Sequence, residues 1–326
     1  MIYPRIAVTG ANGFIGSYLI SLIQKKGIKA RGVVRSHNTS IAKSNKNVSF
    51  IGVGNIDGRT NWKHALRDID CVIHCAGRAH KMNDSLPKNY LEVNTEGTRR
   101  LALEAVKAGV KRVVFLSTIK VNGDSTDLVK PFSNNSSRFY DTNPSIIDDE
   151  NFYEFSKWLA ENELWEISKQ SGIEIVILRI PLVYGPGVKG NLEKLYKLIK
   201  LNLPLPFGRI NNSRSMIGIA NLADLIITCT YHKNATNKTF LASDGEDIST
   251  PELINLISLS MMINTRMINI PISLLRGIFY VVGRNDIFYR LSNSLRVDNS
   301  YTMRTLNWKP SVNLQEGIKE MVESFD

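Results

Sequence analysis

The sequence predicts a doubly wound α/β fold: a parallel sheet covered by helices on both faces, with a smaller C-terminal α/β lobe. Three observations predict it. Short apolar runs alternate with helical patterns through the first 180 residues. A glycine-rich turn follows the first of these runs directly. Beyond Pro181 the alternation gives way to Pro- and Gly-rich stretches and shorter helical patterns.

RIAVT at 5–9 reads as a short buried strand. Residues 13–26 read as a helix, with apolar Phe14, Ile15, Leu19, Ile20 and Ile23 at three- and four-residue spacing, and Gly27 ends it. Further strands are expected at 29–34 (KARGVV), 48–53 (VSFIGV), 71–76 (CVIHCA), 112–117 (RVVFLS) and 173–180 (IEIVILRI). Helices are expected at 90–108 and 152–171. Apolar strands separated by helices need cover on both faces, which a parallel sheet with right-handed crossovers provides. Shorter helices follow at 192–201, 222–231, 250–262 and 314–322. The expected division is 1–180 for the sheet domain and 181–326 for the lobe, with 215–241 a candidate to return to the sheet.

The chain has 326 residues, 43% hydrophobic and 22% charged, an ordinary globular balance that excludes disorder as the dominant state. No uncharged apolar run reaches the ~18 residues a membrane span needs. The formal charge of +11 favours anionic partners. The basic residues are scattered rather than gathered in a tract with aromatics, so no nucleic-acid partner is expected. Cys71, Cys75 and Cys229 are odd in number and form no CxxC, and they read as buried thiols. His74 and His80 have no carboxylate or thiolate at ligand spacing, so no metal is expected. The sequence opens directly into a strand, and a cytoplasmic location is the expectation.

The turn TGANGFIG places Gly10, Gly13 and Gly16 between the first strand and the first helix, whose opening residues include Phe14 and Ile15. Glycine there permits a tight turn, close approach of pyrophosphate to the backbone, and close helix packing, and the helix N-terminus offers N–H groups to phosphate. This is the pattern of a dinucleotide-binding Rossmann fold, and a plain turn is the competing reading. After the second strand the chain reads VVRSHNTS. Arg35 stands near where an acid would bind the adenosine ribose of NAD, and no acid appears before Asp57. A cation suits a 2′-phosphate, so NADP(H) is favoured over NAD(H), with a solvated surface arginine as the alternative.

YEFSK sets Tyr153 and Lys157 four apart on one helix face. A tyrosine that exchanges a proton near neutrality needs its pKa lowered from ~10, and a neighbouring ammonium acts in that direction. Thr118 ends the fifth strand, where doubly wound sheets place ligands, and its hydroxyl can bond a reacting oxygen. Thr118, Tyr153 and Lys157 are the catalytic candidates.

With TGANGFIG, HCAG, LSTIKVNG, YEFSK and LRIPLVYGPG in this order, the sequence resembles the extended short-chain dehydrogenase/reductase family over essentially its whole length. Within it the chain resembles the nucleotide-sugar branch, which includes UDP-sugar 4-epimerases and the C4 ketoreductases that form UDP-N-acetylquinovosamine. STIKVNG, RAHKMND and LVYGPGVKGN look like the latter group. The resemblance implies Thr118, Tyr153 and Lys157 as the catalytic set. It implies Ala76 and Gly77 beside the cofactor, the backbone from Pro181 to Val183 against the nicotinamide, and Asn55 and Ile56 near adenine. It further implies a homodimer and a UDP-sugar held by Arg214 and Asn191, with Arg296 a weaker candidate. Asn55 departs from the Asp common at its position, Asn122 from the Tyr of the usual VYG, and DDENF from the usual approach to the catalytic tyrosine. Ile119 and Lys120 replace the Asp–Glu pair that related 4,6-dehydratases use as acid and base, which argues against dehydration.

The leading functional expectation is therefore NADPH-dependent reduction at C4 of a UDP-4-keto-6-deoxy-N-acetylhexosamine, serving O-antigen or other surface polysaccharide synthesis. A UDP-glucose or UDP-N-acetylglucosamine 4-epimerase is the alternative enzyme, and a non-catalytic NADP-binding sensor the alternative of another class. The apolar, arginine-bearing stretch at 271–284 reads as a packing helix of the lobe, with peripheral membrane contact as the competing reading.

Overall fold

The computed structural model describes residues 3–36, 46–78, 87–127, 130–134, 139 and 151–325. Its main layer is a seven-stranded sheet. The strands are β1 (Ile6–Thr9), β2 (Ala30–Val34), β3 (Val48–Gly52), β4 (Cys71–His74), β5 (Arg112–Thr118), β6 (Glu174–Ile180) and β9 (Lys238–Leu241). They lie in the order β3-β2-β1-β4-β5-β6-β9, and every pairing is parallel. The order reverses between β1 and β4, and the crevice beyond their C-terminal ends is where such sheets take ligands.

Strand pleating sends alternate residues to opposite faces. Ile6, Val8, Val114, Leu116, Val176 and Leu178 pack under α1 (Phe14–Lys25) and α6 (Ile219–Tyr231). Ala7, Val72, Val113, Phe115, Ile175 and Ile177 pack on the other side, under α3 (Gly97–Lys107) and α4 (Phe152–Ser171). Both faces are thus buried, which is why these strands read as continuous apolar runs rather than alternating ones. Helix α4 stops at Gly172, whose φ of 77° supplies the left-handed cap. The helix expected at 90–108 is instead three continuous segments: α2 (Pro87–Tyr90), a π-helical stretch Leu91–Glu96, and α3.

At Pro181 the chain leaves the main sheet. Strand β7 (Leu182–Tyr184) pairs in parallel with β8 (Arg214–Gly218), and β10 (Asp247–Ile248) joins β8 antiparallel. Around this small sheet lie α5 (Asn191–Lys200), α7 (Thr250–Ser260), α8 (Ile272–Val281), α9 (Asn285–Ser292) and α11 (Leu314–Glu323), which share a second core. Helix α7 starts on a capping box of Ser249 and Glu252 with Pro251 in its first turn. Helix α10 (Ser300–Leu306) packs back towards β9. Between β8 and β10 the chain returns to the main body as α6 and β9. Asn221 of α6 fastens the two halves: its amide accepts from Ser311 N and Val312 N at 3.0 Å each, and donates to Asp244 Oδ1 at 2.7 Å and Val312 O at 2.8 Å.

Candidate active site

The turn after β1 is built from contacts that exclude side chains. Gly10 has φ +63°, and a Cβ there would stand 3.0 Å from the backbone of Ala76, across the switch point. A Cβ on Gly16 would stand 2.1 Å from the carbonyl oxygen of Gly10. Gly13 N donates to that same oxygen at 2.8 Å, and Gly13 precedes α1 without any side-chain cap. The turn is therefore a backbone-lined cradle at a helix N-terminus, the chemistry that a pyrophosphate requires. Phe14 and Ile15, on the first turn of α1, pack against the sheet core. Arg35 is exposed at the end of β2, where its carbonyl accepts from Gly54 N at 3.0 Å. Asn55 and Ile56 follow in the next loop, and the Ile56 side chain closes on Gly97 of α3, leaving no room there for a Cβ.

A buried histidine holds the crevice floor. Thr9 Oγ1 donates to His74 Nδ1 at 2.7 Å, and His74 Nε2 donates to Thr98 Oγ1 at 3.0 Å. Thr98 in turn donates to Asn94 O at 2.6 Å, while Thr9 Oγ1 accepts from Ala76 N at 3.1 Å. Burial pushes the imidazole down to about 3, so it stays neutral and acts as a strut. His80 lies outside the described residues. Among those described, no group of His, Cys, Asp and Glu gathers as a metal site.

Asn94 was not singled out in the sequence. It sits in the π-helical stretch and accepts from Arg78 N at 2.7 Å. It donates to Arg78 O at 3.1 Å and to Ser156 Oγ at 3.0 Å. One side chain thus ties the segment after β4 to the first turns of α4. A π insertion shifts the helical phase, and such insertions gather at functional sites. The only signal in the sequence is a polar residue inside an otherwise amphipathic helix.

The structure brings Thr118, Tyr153 and Lys157 together at the C-terminal ends of β4 and β5. The Thr118 hydroxyl faces the Tyr153 phenol and favours its ionised form. Lys157 is buried with its Nζ 4.2 Å from the centre of the Phe115 ring. That Nζ also lies 3.6 Å from where a Cβ on Gly77 would stand, which puts Ala76 and Gly77 on the lip above it. Burial pulls the ammonium down to about 8, against the opposing charge of Glu161. Tyr153 departs from the expectation of a lowered phenol. Burial, then the Glu154 carboxylate, push it up to about 12, and the Thr118 hydroxyl only partly offsets them. Glu154 is fully buried and pairs with Lys120, which also reaches Asp124 at 3.5 Å. So Lys120, at a position where a dehydratase carries an acid, neutralises a carboxylate beside the tyrosine. The residues of DDENF before Asn151 lie outside those described.

Thr118 is level with Ile180 in the β5–β6 register, so Pro181 begins one step beyond it. Pro181 and Val183 are both buried where the chain crosses into β7. Arg214 of β8 lies beside the segment that carries Arg296, since Arg214 bridges to Leu295. Arg214 differs from a solvent-facing phosphate ligand: its Nη1 donates to Arg290 O at 3.0 Å and Asn293 O at 3.1 Å. Arg296 pairs with Asp247 at 2.7 Å. Asn191 opens α5 and is exposed at the surface. A cleft of about 710 Å³ along β9, between α4 and α10, contains none of the sequence-predicted site residues.

Residues 6–242 match the profile described as the NAD dependent epimerase/dehydratase family. The UDP-glucose 4-epimerase of Vibrio cholerae is 39% identical over 98% of this chain and 95% of its own length. Among solved structures, UDP-N-acetylglucosamine 4-epimerase from Bacillus cereus superposes with a TM-score of 0.76 at 19% identity, covering 98% of each chain. UDP-glucuronic acid 4-epimerase from Bacillus cereus, in complex with NAD, gives 0.75 at 21% identity, again covering 98% of each.

Proposed function

Since this chain belongs to the NAD dependent epimerase/dehydratase family, we propose that it is a 4-epimerase of a UDP-hexose or UDP-N-acetylhexosamine. One observation carries the reading. Thr118 faces the Tyr153 phenol near a buried Lys157, at the mouth of a crevice whose other wall is a glycine-lined cradle. The near full-length similarity to a UDP-glucose 4-epimerase selects the sugar carbon.

In this reading Gly10, Gly13 and Gly16 hold the pyrophosphate of the dinucleotide, and Ala76, Gly77 and the segment from Pro181 to Val183 flank its nicotinamide end. When bound, NAD supplies reversible hydride exchange at a sugar carbon. Tyr153 takes and returns the proton of the C4 hydroxyl, and Thr118 steers that hydroxyl towards the phenol. The Lys157 ammonium, still charged at neutral pH, favours the phenolate electrostatically. Ile119 and Lys120 provide no carboxylate pair, which supports chemistry confined to C4. For the diphosphate of the sugar nucleotide the reading keeps Arg296, which would exchange its Asp247 partner for phosphate, and the donors of Arg214 other than Nη1, which carbonyls hold, with Asn191 at the rim.

A second reading, NADPH-dependent reduction of a UDP-4-keto-6-deoxy-N-acetylhexosamine, is favoured by two observations. Arg35 occupies the end of β2 with no acid beside it. The protein's own groups hold Tyr153 protonated, the form that gives a proton to a nascent alkoxide. Incubating the purified protein with UDP-glucose and with UDP-N-acetylglucosamine, without added nucleotide, separates the two. C4-inverted product is expected. No inversion, with NADPH consumed on the 4-keto sugar nucleotide, replaces the first reading by the second.

A further inference from the structure

Helix α8 is ten residues long and has two apolar sides. Leu275 and Phe279, at i and i+4, use one side: Leu275 is buried, and Phe279 lies 6.1 Å from Phe288 of α9. Leu274, Ile278 and Val281, at i, i+4 and i+7, form the other side and are 57%, 46% and 86% exposed. Val282 extends that surface at the C-terminal end, and Tyr280 is exposed on another side of the helix. A packing helix of a globular lobe carries one apolar stripe and leaves the rest polar. Here the second stripe has no cover among the described residues of the fold.

Its surroundings are basic. From residue 259 to residue 297 the chain carries five arginines against a single acid, Asp286; Arg290 pairs with that acid and Arg296 with Asp247, while Arg266, Arg276 and Arg284 are exposed. Arg276 is itself exposed and lies 5.8 Å from the Tyr289 ring, on the side of α8 turned away from the exposed apolar stripe. An apolar stripe on one side of a helix with arginine on the other is the composition of a helix lying in the plane of a membrane interface. The helix is far too short to cross one, and no described helix is long and apolar enough to do so.

We propose that α8 docks this protein on the surface of an anionic phospholipid bilayer, with Leu274, Ile278 and Val281 entering the headgroup region and the arginines engaging acidic headgroups. Charge selects this occupant. A second copy apposed through the same face brings like-charged arginines together, whereas an anionic surface gains from each of them.

The test is flotation of the full chain with phosphatidylcholine vesicles and with vesicles about one-third phosphatidylglycerol, at low and high salt. Binding to the anionic vesicles that weakens with salt is expected. Leu274→Gln combined with Ile278→Gln is expected to weaken it about ten-fold or more. Because both residues are exposed, the thermal midpoint of that variant is expected to stay unchanged, which separates lost docking from lost folding. Absence of binding to anionic vesicles overturns the proposal, as does binding that the double substitution leaves intact. Self-association that this substitution abolishes, in a protein indifferent to vesicles, overturns it in favour of a protein interface.

Discussion

Replacing Glu161 by Gln changes one charge in the most enclosed ion pair among the described residues. The Glu161 and Arg179 side chains are only 2% and 5% exposed. Arg179 donates to the carboxylate through Nε at 3.1 and 3.2 Å and through Nη2 at 2.6 Å, and Ser117 donates to it as well. The remaining Arg179 arm reaches Asn122 Oδ1 at 3.1 Å. The glutamine keeps the shape but leaves a guanidinium buried without its counter-charge. Breaking such a pair from one side costs about 3–5 kcal/mol. A chain of this length has an unfolding entropy of about 0.7 kcal/mol per kelvin, so the midpoint is expected to fall by about 4–7 °C. The same change reaches Lys157, one turn earlier on α4, because the Glu161 charge opposes the burial that holds that ammonium near 8. Lys157 is charged below its pKa, so activity that needs the ammonium declines as pH rises through it. Without Glu161 the pKa drops further, and the alkaline limb of the pH–rate profile is expected to move to lower pH. Scanning fluorimetry reads the first effect and turnover between neutral and alkaline pH the second. A variant that melts within about 1 °C of the parent and superimposes on its profile refutes the argument. Replacing both partners by apolar residues of similar volume is expected to recover most of the lost stability, because no buried charge is then left alone.

Tyr153→Phe is expected to lower turnover by about 10²–10⁴-fold while dinucleotide binding, followed by fluorescence titration, is retained. Gly16→Ala places a Cβ 2.1 Å from the Gly10 carbonyl, and because both atoms belong to backbone the turn must shift. Its dinucleotide affinity, measured by calorimetry, is expected to fall at least about ten-fold. Arg35→Glu is expected to lower the ratio of NADPH to NADH affinity, and an unchanged ratio means that Arg35 does not meet a 2′-phosphate.

Much of the sheet was legible because its signals are local. The apolar runs, the glycine turn and the spacing in 152–171 each reflect a repeating pattern over a few residues, and α4 (Phe152–Ser171) spans the expected range. The π-helical stretch was not legible, since the extra residue answers to a distant requirement: Asn94 must reach Arg78 and Ser156 at once. Nor was the small sheet, whose three short strands owe their pairing to contacts across the lobe. For the candidate site, residue types were readable and environments were not. Nothing in YEFSK shows that Glu154 lies buried beside the phenol, or that Lys120 from another element meets it. Arg214 likewise reads as a free cation until the carbonyls of Arg290 and Asn293 are in view.

The route of the chain through β6, β7, β8, α6 and β9 bears on its synthesis. The sheet's last strand and the helix that covers its middle come from residues made after the chain has already left for the lobe. Leu222, Leu225 and Ile226 of α6 are fully buried, and β9 pairs along β6. A nascent chain that has emerged only as far as Ile180 thus presents an unpaired β6 edge and an uncovered apolar face. Roughly 60 residues separate Ile180 from Leu241, an interval of about 3–12 s at ordinary translation rates. During that interval the half-built sheet is open to edge pairing with other chains and to capture by chaperones. A stall in this window is therefore more hazardous than one after Leu241, and a chain truncated after Ile180 is expected to aggregate rather than yield a separate nucleotide-binding unit.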